Sequence, residues 1–123
     1  MTCTNGAIGK GIASAIGDER DQVLLVASTD MSHYISAEEA KQLDALALDR
    51  VEALDAEGLV ELVEEKDISM CGYLPTAVVI AAARALGATS ATLVRYGNSG
   101  GASGDYDRVV GYAGLIITLP PRR

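Results

Sequence analysis

Isoleucines at positions 8, 12 and 16 recur four residues apart, the spacing of one helix face, and Gly17 stands where such a helix can end. Gly9 and Gly11 inside it each weaken a helix by ~1 kcal/mol relative to alanine, so packing must hold it. The run Val23-Leu24-Leu25-Val26-Ala27 follows, of strand length and apolar on both sides. That pattern predicts a central strand covered on both faces.

A second helix is announced at Ser36, with Glu39 three residues on: a capping box in which each side chain satisfies a backbone donor of the first turn. Ala40, Leu43, Ala47, Val51 and Leu54 continue its apolar stripe. Asp55 caps a third helix that runs to about Lys66, with Leu54 and Leu59 placed as a hydrophobic staple. Glu57, Glu61, Glu64 and Glu65 read as its solvated face rather than an acidic metal site. A fourth helix opens at Pro75, is almost wholly apolar through Ala83 and ends at Gly87. Ala91 to Tyr96 predicts a strand, Gly97 to Asp107 a polar loop, and Val109 to Leu119 a second buried strand stopped by Pro120-Pro121. Helices alternating with apolar strands indicate a layered α/β fold. Three strands buried on both faces make a narrow sheet, which points to an incomplete one.

Composition narrows the partners. A chain of 123 residues suits one domain, and a core of Ala, Val, Leu and Ile without Phe or Trp has few large anchors. A net charge of −7 repels a phosphate backbone, so nucleic acid is excluded as a general partner. Apolar runs fall short of the ~18–20 residues that span a bilayer, and residues 1–6 do not read as a signal peptide. Cys3 and Cys71 are too few for a disulfide scaffold, which makes a reducing cytoplasm the expected compartment.

Three segments carry candidate chemistry. Ser28-Thr29-Asp30-Met31-Ser32-His33-Tyr34 follows the apolar run, where the carboxyl ends of strands line the crevice of open α/β sheets. Asp30 and His33, three apart, either orient each other for proton transfer or simply cap a turn and pack at its edge. In Ser69-Met70-Cys71-Gly72-Tyr73-Leu74-Pro75, Gly72 permits an unusual backbone angle and the helix start faces Cys71. Both features favour a thiolate, although a lone cysteine is also a common small buried residue. Cys3 reads as inert. The loop Gly97 to Asp105 matches no phosphate-binding pattern and is either a connection or the wall of a pocket. No Gly-x-Ser-x-Gly elbow and no closed zinc spacing occur, and one His with one well-placed Cys cannot complete a transition-metal shell.

Taken in order, Ala27 to Tyr34, the stretch Asp44 to Leu46, Leu54-Asp55, Ser69 to Pro75, Tyr96-Gly97-Asn98-Ser99 and Val110-Gly111-Tyr112-Ala113 resemble the carboxyl-terminal half of the Memo family, also called AmmeMemoRadiSam system protein B. The resemblance runs from about Gly6 to Leu119. It implies an α/β fold like that of the class III extradiol (LigB-like) dioxygenases, with residues 1–123 as a single partial domain. It also implies a pocket in which two histidines from the amino-terminal half join Cys71 as metal ligands, iron or copper being the metal of the full-length parent. Asp30 and His33 would be its acid/base groups, with Ser28, Tyr34, Gly72 and Ser99 around them. The family's Pro-His-Ala-Gly segment is absent, so the chain reads as truncated, inactive alone, without a tightly held metal and prone to self-association through its open sheet. A redox reaction on a small molecule, partnership with AMMECR-like and radical-SAM proteins, or ligand binding without turnover are the functions the resemblance brings with it.

Overall fold

A computed structural model describes the backbone of residues 2–121 and the side chains from Asn5 to Pro121. The expectation for Cys3 lies outside the described side chains. Helix α1 (Thr2–Ile16) leads through a short 3-10 helix (Gly17–Gln22) into an extended segment and strand β1 (His33–Ile35). Helices α2 (Ala37–Glu52), α3 (Ala56–Lys66) and α4 (Tyr73–Ala85) follow, then β2 (Ser90–Asn98), the single turn α5 (Gly100–Ser103) and β3 (Val109–Thr118). Among the described residues no helix is long and apolar enough to cross a membrane.

The local signals place the helices. Ser36 accepts from the Glu39 amide at 3.2 Å and Asp55 from the Gly58 amide at 2.9 Å, so two side-chain caps set the starts of α2 and α3. Leu54 and Leu59 are buried as the staple requires, while the four glutamates of α3 are exposed. Helix α4 begins two residues before Pro75. The proline occupies the third position, still inside the first turn whose amides lack helical partners.

Strand β3 is the centre of an antiparallel sheet of order β1-β3-β2. Its residues alternate. Ala113, Leu115 and Ile117 pack on the helical core of Leu48, Val51, Leu59, Met70 and Ile80, whereas Tyr112 and Ile116 face outward. The expectation of a sheet buried on both faces therefore fails; helices cover one face, and the exposed Val94 marks the other. The run at Val23–Ala27 is extended but belongs to no sheet, with Leu24 85% exposed. An apolar run becomes a strand only when a neighbouring edge takes its amides and carbonyls. Among the described residues no such edge pairs with this one.

Helix α1 packs by a different stripe from the one its isoleucines mark. Ile8 is exposed, and Asn5, Gly9 and Ala13 form the buried line. A Cβ on Gly9 would lie 2.5 Å from the Ala81 Cβ and 2.8 Å from the Ala82 amide nitrogen, so glycine lets α1 approach α4. Nothing lies within 4 Å of the same position on Gly11. The two glycines should thus respond oppositely to alanine. Gly9→Ala should destabilise by about 1–3 kcal/mol through overpacking, and Gly11→Ala should stabilise by up to ~1 kcal/mol. Thermal melts of the two variants settle this, and equal shifts would remove the close-approach explanation.

Candidate metal centre

The turn after the extended run and the start of α4 meet at one point. Asp30, His33 and Cys71 present a carboxylate oxygen, an imidazole nitrogen and a sulfur that all lie within 4.8 Å of one another. Residues forty positions apart in sequence converge because several hydrogen bonds tie the two segments together. The Gly72 amide donates to Thr29 Oγ1 at 2.7 Å, and the Asp30 amide points at Cys71 Sγ at 3.4 Å. The His33 amide donates to Ser69 Oγ at 2.7 Å.

The imidazole is oriented from behind. His33 Nδ1 lies 2.6 Å from the Ser69 carbonyl oxygen, which can only accept, so Nδ1 carries a hydrogen. In the neutral ring this leaves the lone pair on Nε2, which is 3.7 Å from Asp30 Oδ2. That separation is too long for a hydrogen bond. Two electron-rich atoms facing each other across this gap, with a sulfur beside them, are suited to hold a cation.

A buried network fixes the strand that carries His33. Asp44, fully buried on α2, accepts from the Ser32 amide at 3.0 Å and the Ser32 hydroxyl at 2.6 Å through one oxygen, and from the Tyr96 hydroxyl through the other. Burial raises the Tyr96 phenol far above its ordinary value, and the hydrogen bond to Asp44 and its charge add to the effect. Gly111 passes beneath; a Cβ there would sit 2.2 Å from an Asp44 oxygen. The hydroxyl of Tyr73 is also pushed up, chiefly by its hydrogen bond to Glu64.

The other sequence candidates are dispersed around this point. Ser28 is exposed and contributes its carbonyl to the wall above Gly72. Gly72 has φ −105°, an angle open to any residue; space, not backbone freedom, requires glycine there, because a Cβ would meet Thr29 Cβ at 2.6 Å. That corrects the reading of Gly72 as a conformational device. Tyr34 adopts φ +60° and its ring lies 5.9 Å from that of His33. Ser99 accepts from the Val110 amide at 2.9 Å, and Val110 is paired with His33, so β3 lies between Ser99 and the three donors. The loop expected at Gly97 to Asp107 begins later, since Gly97 and Asn98 belong to β2.

Thr29, Ser32, Ser69, Asp44 and Tyr96 fall within the segments quoted from the sequence, but sequence reasoning gave none of them a role of its own. Only Asp44 left a signal: it interrupts the buried face of α2 formed by Ala40, Ala47, Leu48 and Val51. A cleft of about 490 Å³ lies at the other end of α4, lined by Asn5, Lys10, Asp55 and Arg84 among others, and none of the three donors is in its walls.

Comparison with known proteins identifies the family to which the chain belongs. The family model described as Memo-like protein matches residues 2–116, and the chain belongs to this family. A MEMO1 family protein of Methanopyrus kandleri is 39% identical over 110 residues, covering 89% of this chain and 39% of the relative. One from Aquifex aeolicus is 40% identical over 119 residues, 95% of this chain and 45% of the relative. One from Methanothermobacter thermautotrophicus is 41% identical over 112 residues, 91% of this chain and 40% of the relative. The chain thus spans roughly two-fifths of the length of these curated relatives.

Proposed function

We propose that Asp30, His33 and Cys71 form part of a transition-metal pocket that serves a redox or dioxygenase-like reaction in the full-length Memo-like domain, as in the LigB-like fold. The observation that carries this reading is the convergence of three different donor atoms within 4.8 Å.

The donor set fits such an ion. Imidazole, carboxylate and thiolate together suit iron, copper or zinc rather than the hard cations. Around an ion with bonds of about 2.0–2.3 Å, neighbouring donors stand roughly 3.3–3.8 Å apart. The Asp30–His33 gap of 3.7 Å is already of that size, and no two of the three donors are more than 4.8 Å apart. A metal bound there would supply Lewis-acid and one-electron chemistry.

The chain's own groups do the rest. Ser69 holds the imidazole in one tautomer, Thr29 and the Asp30 amide hold the sulfur, and Asp30 offers a half-exposed carboxylate that can take or return a proton. Three donors leave room for further ligands, so the ion is held loosely by this chain alone.

Cobalt(II) reports on this directly, because thiolate ligation produces an intense near-ultraviolet absorption. Titration of the reduced chain should develop that band; Cys71→Ser should abolish it, and His33→Gln should weaken uptake about 10–100-fold. A band that survives Cys71→Ser, or none in the parent chain, contradicts the proposal.

A further inference from the structure

The two segments that carry Asp30 and Cys71 each send a neighbouring methionine inward. Met31 follows Asp30 and Met70 precedes Cys71; both are 3% exposed and belong to the core with Leu48, Val51 and Ile80. Packing there is incomplete. A cavity of about 120 Å³ remains, with Met31, Met70, Leu48, Val51, Ile80 and Thr29 in its walls. Thr29 belongs to both regions, since its hydroxyl also lies 3.7 Å from Cys71 Sγ.

The side chains around this space are apolar apart from Thr29 and Thr76, and both hydroxyls are already engaged. Thr29 Oγ1 donates to the Asp30 carbonyl at 2.8 Å and accepts from the Gly72 amide at 2.7 Å. Thr76 donates to the Gly72 carbonyl at 2.8 Å. A buried water ordinarily makes about three hydrogen bonds, so these side chains hold one poorly. Apolar cavities of about 150 Å³ stay dry and bind benzene or xenon, and this one is only slightly smaller. Val79, Leu115 and Ile117, also in its walls, are half-buried, which gives a small molecule a way in from solvent.

We infer that this cavity is a binding site for a small uncharged apolar molecule, held beside the segments that carry Asp30 and Cys71. Its attraction is escape from water together with dispersion contacts summed over the walls, neither of which needs a polar partner. The inference rests on the metal-pocket reading only for the use of that molecule: with a redox metal on the three donors, dioxygen is a molecule of this class. Thr29 is then the partition between the two, with its hydroxyl toward the sulfur and the cavity on its other flank.

Carbon-13 labelling of the methionine and isoleucine methyl groups reads the cavity directly, because Met31 and Met70 line it while Ile116 is exposed. Metal-free protein is equilibrated with xenon under rising pressure and, separately, with formamide, a small polar molecule. Xenon should shift the Met31 and Met70 signals to saturation and leave Ile116 unmoved; formamide should shift none of them. Dioxygen, being paramagnetic, should broaden the same two methionine signals more than that of Ile116. Ala113→Leu and Ala27→Leu each put extra carbons into the cavity and should abolish the xenon response. Ala27 lies outside the sheet, which keeps one filled variant clear of strand pairing. A response without saturation, an equal response to xenon and formamide, or one unchanged in a filled variant that keeps the parent methyl spectrum overturns the inference. No metal takes part, so a failed cobalt titration counts against the metal reading alone and a failed xenon titration against the cavity alone.

Discussion

Replacing Asp44 by alanine should cost the chain about 3–5 kcal/mol of stability, the range seen when one member of a buried charged network is removed. The reason is what it leaves behind. The Ser32 amide, the Ser32 hydroxyl and the Tyr96 hydroxyl all spend their hydrogen on this carboxylate, and Asp44 is fully buried. Each abandoned donor costs roughly 1–3 kcal/mol where water cannot replace the partner. Asp44→Asn should cost less, since its amide oxygen still accepts. Chemical denaturation of the two variants measures both values, and an Asp44→Ala chain within about 1 kcal/mol of the parent would show the network to be dispensable.

The same network sets an alkaline limit. Tyr96 is held neutral by burial first and by Asp44 second, so its folded value lies above the ordinary 10.0. A raised value means that the folded chain keeps a proton the unfolded chain gives up. The associated stability is complete below pH 10 and is lost as the pH climbs from there toward the raised value. Alkaline difference absorption should therefore show Tyr96 ionising above the ordinary phenol range, together with unfolding.

The second large effect concerns the donors themselves. In Gly72→Val a Cβ would stand 2.6 Å from Thr29 Cβ and 2.9 Å from the Ser28 carbonyl oxygen. Residues 28–30 must then withdraw from Cys71, and the hydrogen bond from the Gly72 amide to Thr29 is lost with them. Helix α4 starts after this position, so helical content should persist at a cost of about 1–3 kcal/mol. Cobalt affinity should fall at least about tenfold, the effect of disturbing the groups that orient ligands. A variant that unfolds no earlier than the parent and binds cobalt equally would show that the donors do not depend on this contact.

How far the sequence foretold this arrangement depends on the range of the interactions. Ser36 and Asp55 announced α2 and α3 because a cap is satisfied within three residues of itself. Strand β1 was not legible: it has three residues and exists only because β3 pairs with it from the far end of the chain. Val23 to Ala27 was read as a strand from its apolar run, but pairing belongs to the neighbour and not to the run. The burial of α1 was misjudged for a related reason. Isoleucine spacing shows which side is apolar, whereas the close approach of α4 is decided by the smallest side chain, Gly9. Asp30, His33 and Cys71 were each identifiable as chemistry-bearing residues. Their convergence depends on Thr29 and Ser69, polar residues with ordinary spacing whose partners lie far along the chain.

X-ray absorption of the chain loaded with one zinc ion tests the central claim most directly, since it counts donors by element. The triad predicts one sulfur at about 2.3 Å together with nitrogen and oxygen scatterers near 2.0–2.2 Å, one of them an imidazole. A first shell of oxygen and nitrogen alone, with no sulfur, would mean that Cys71 takes no part and that the three side chains are neighbours without being a site.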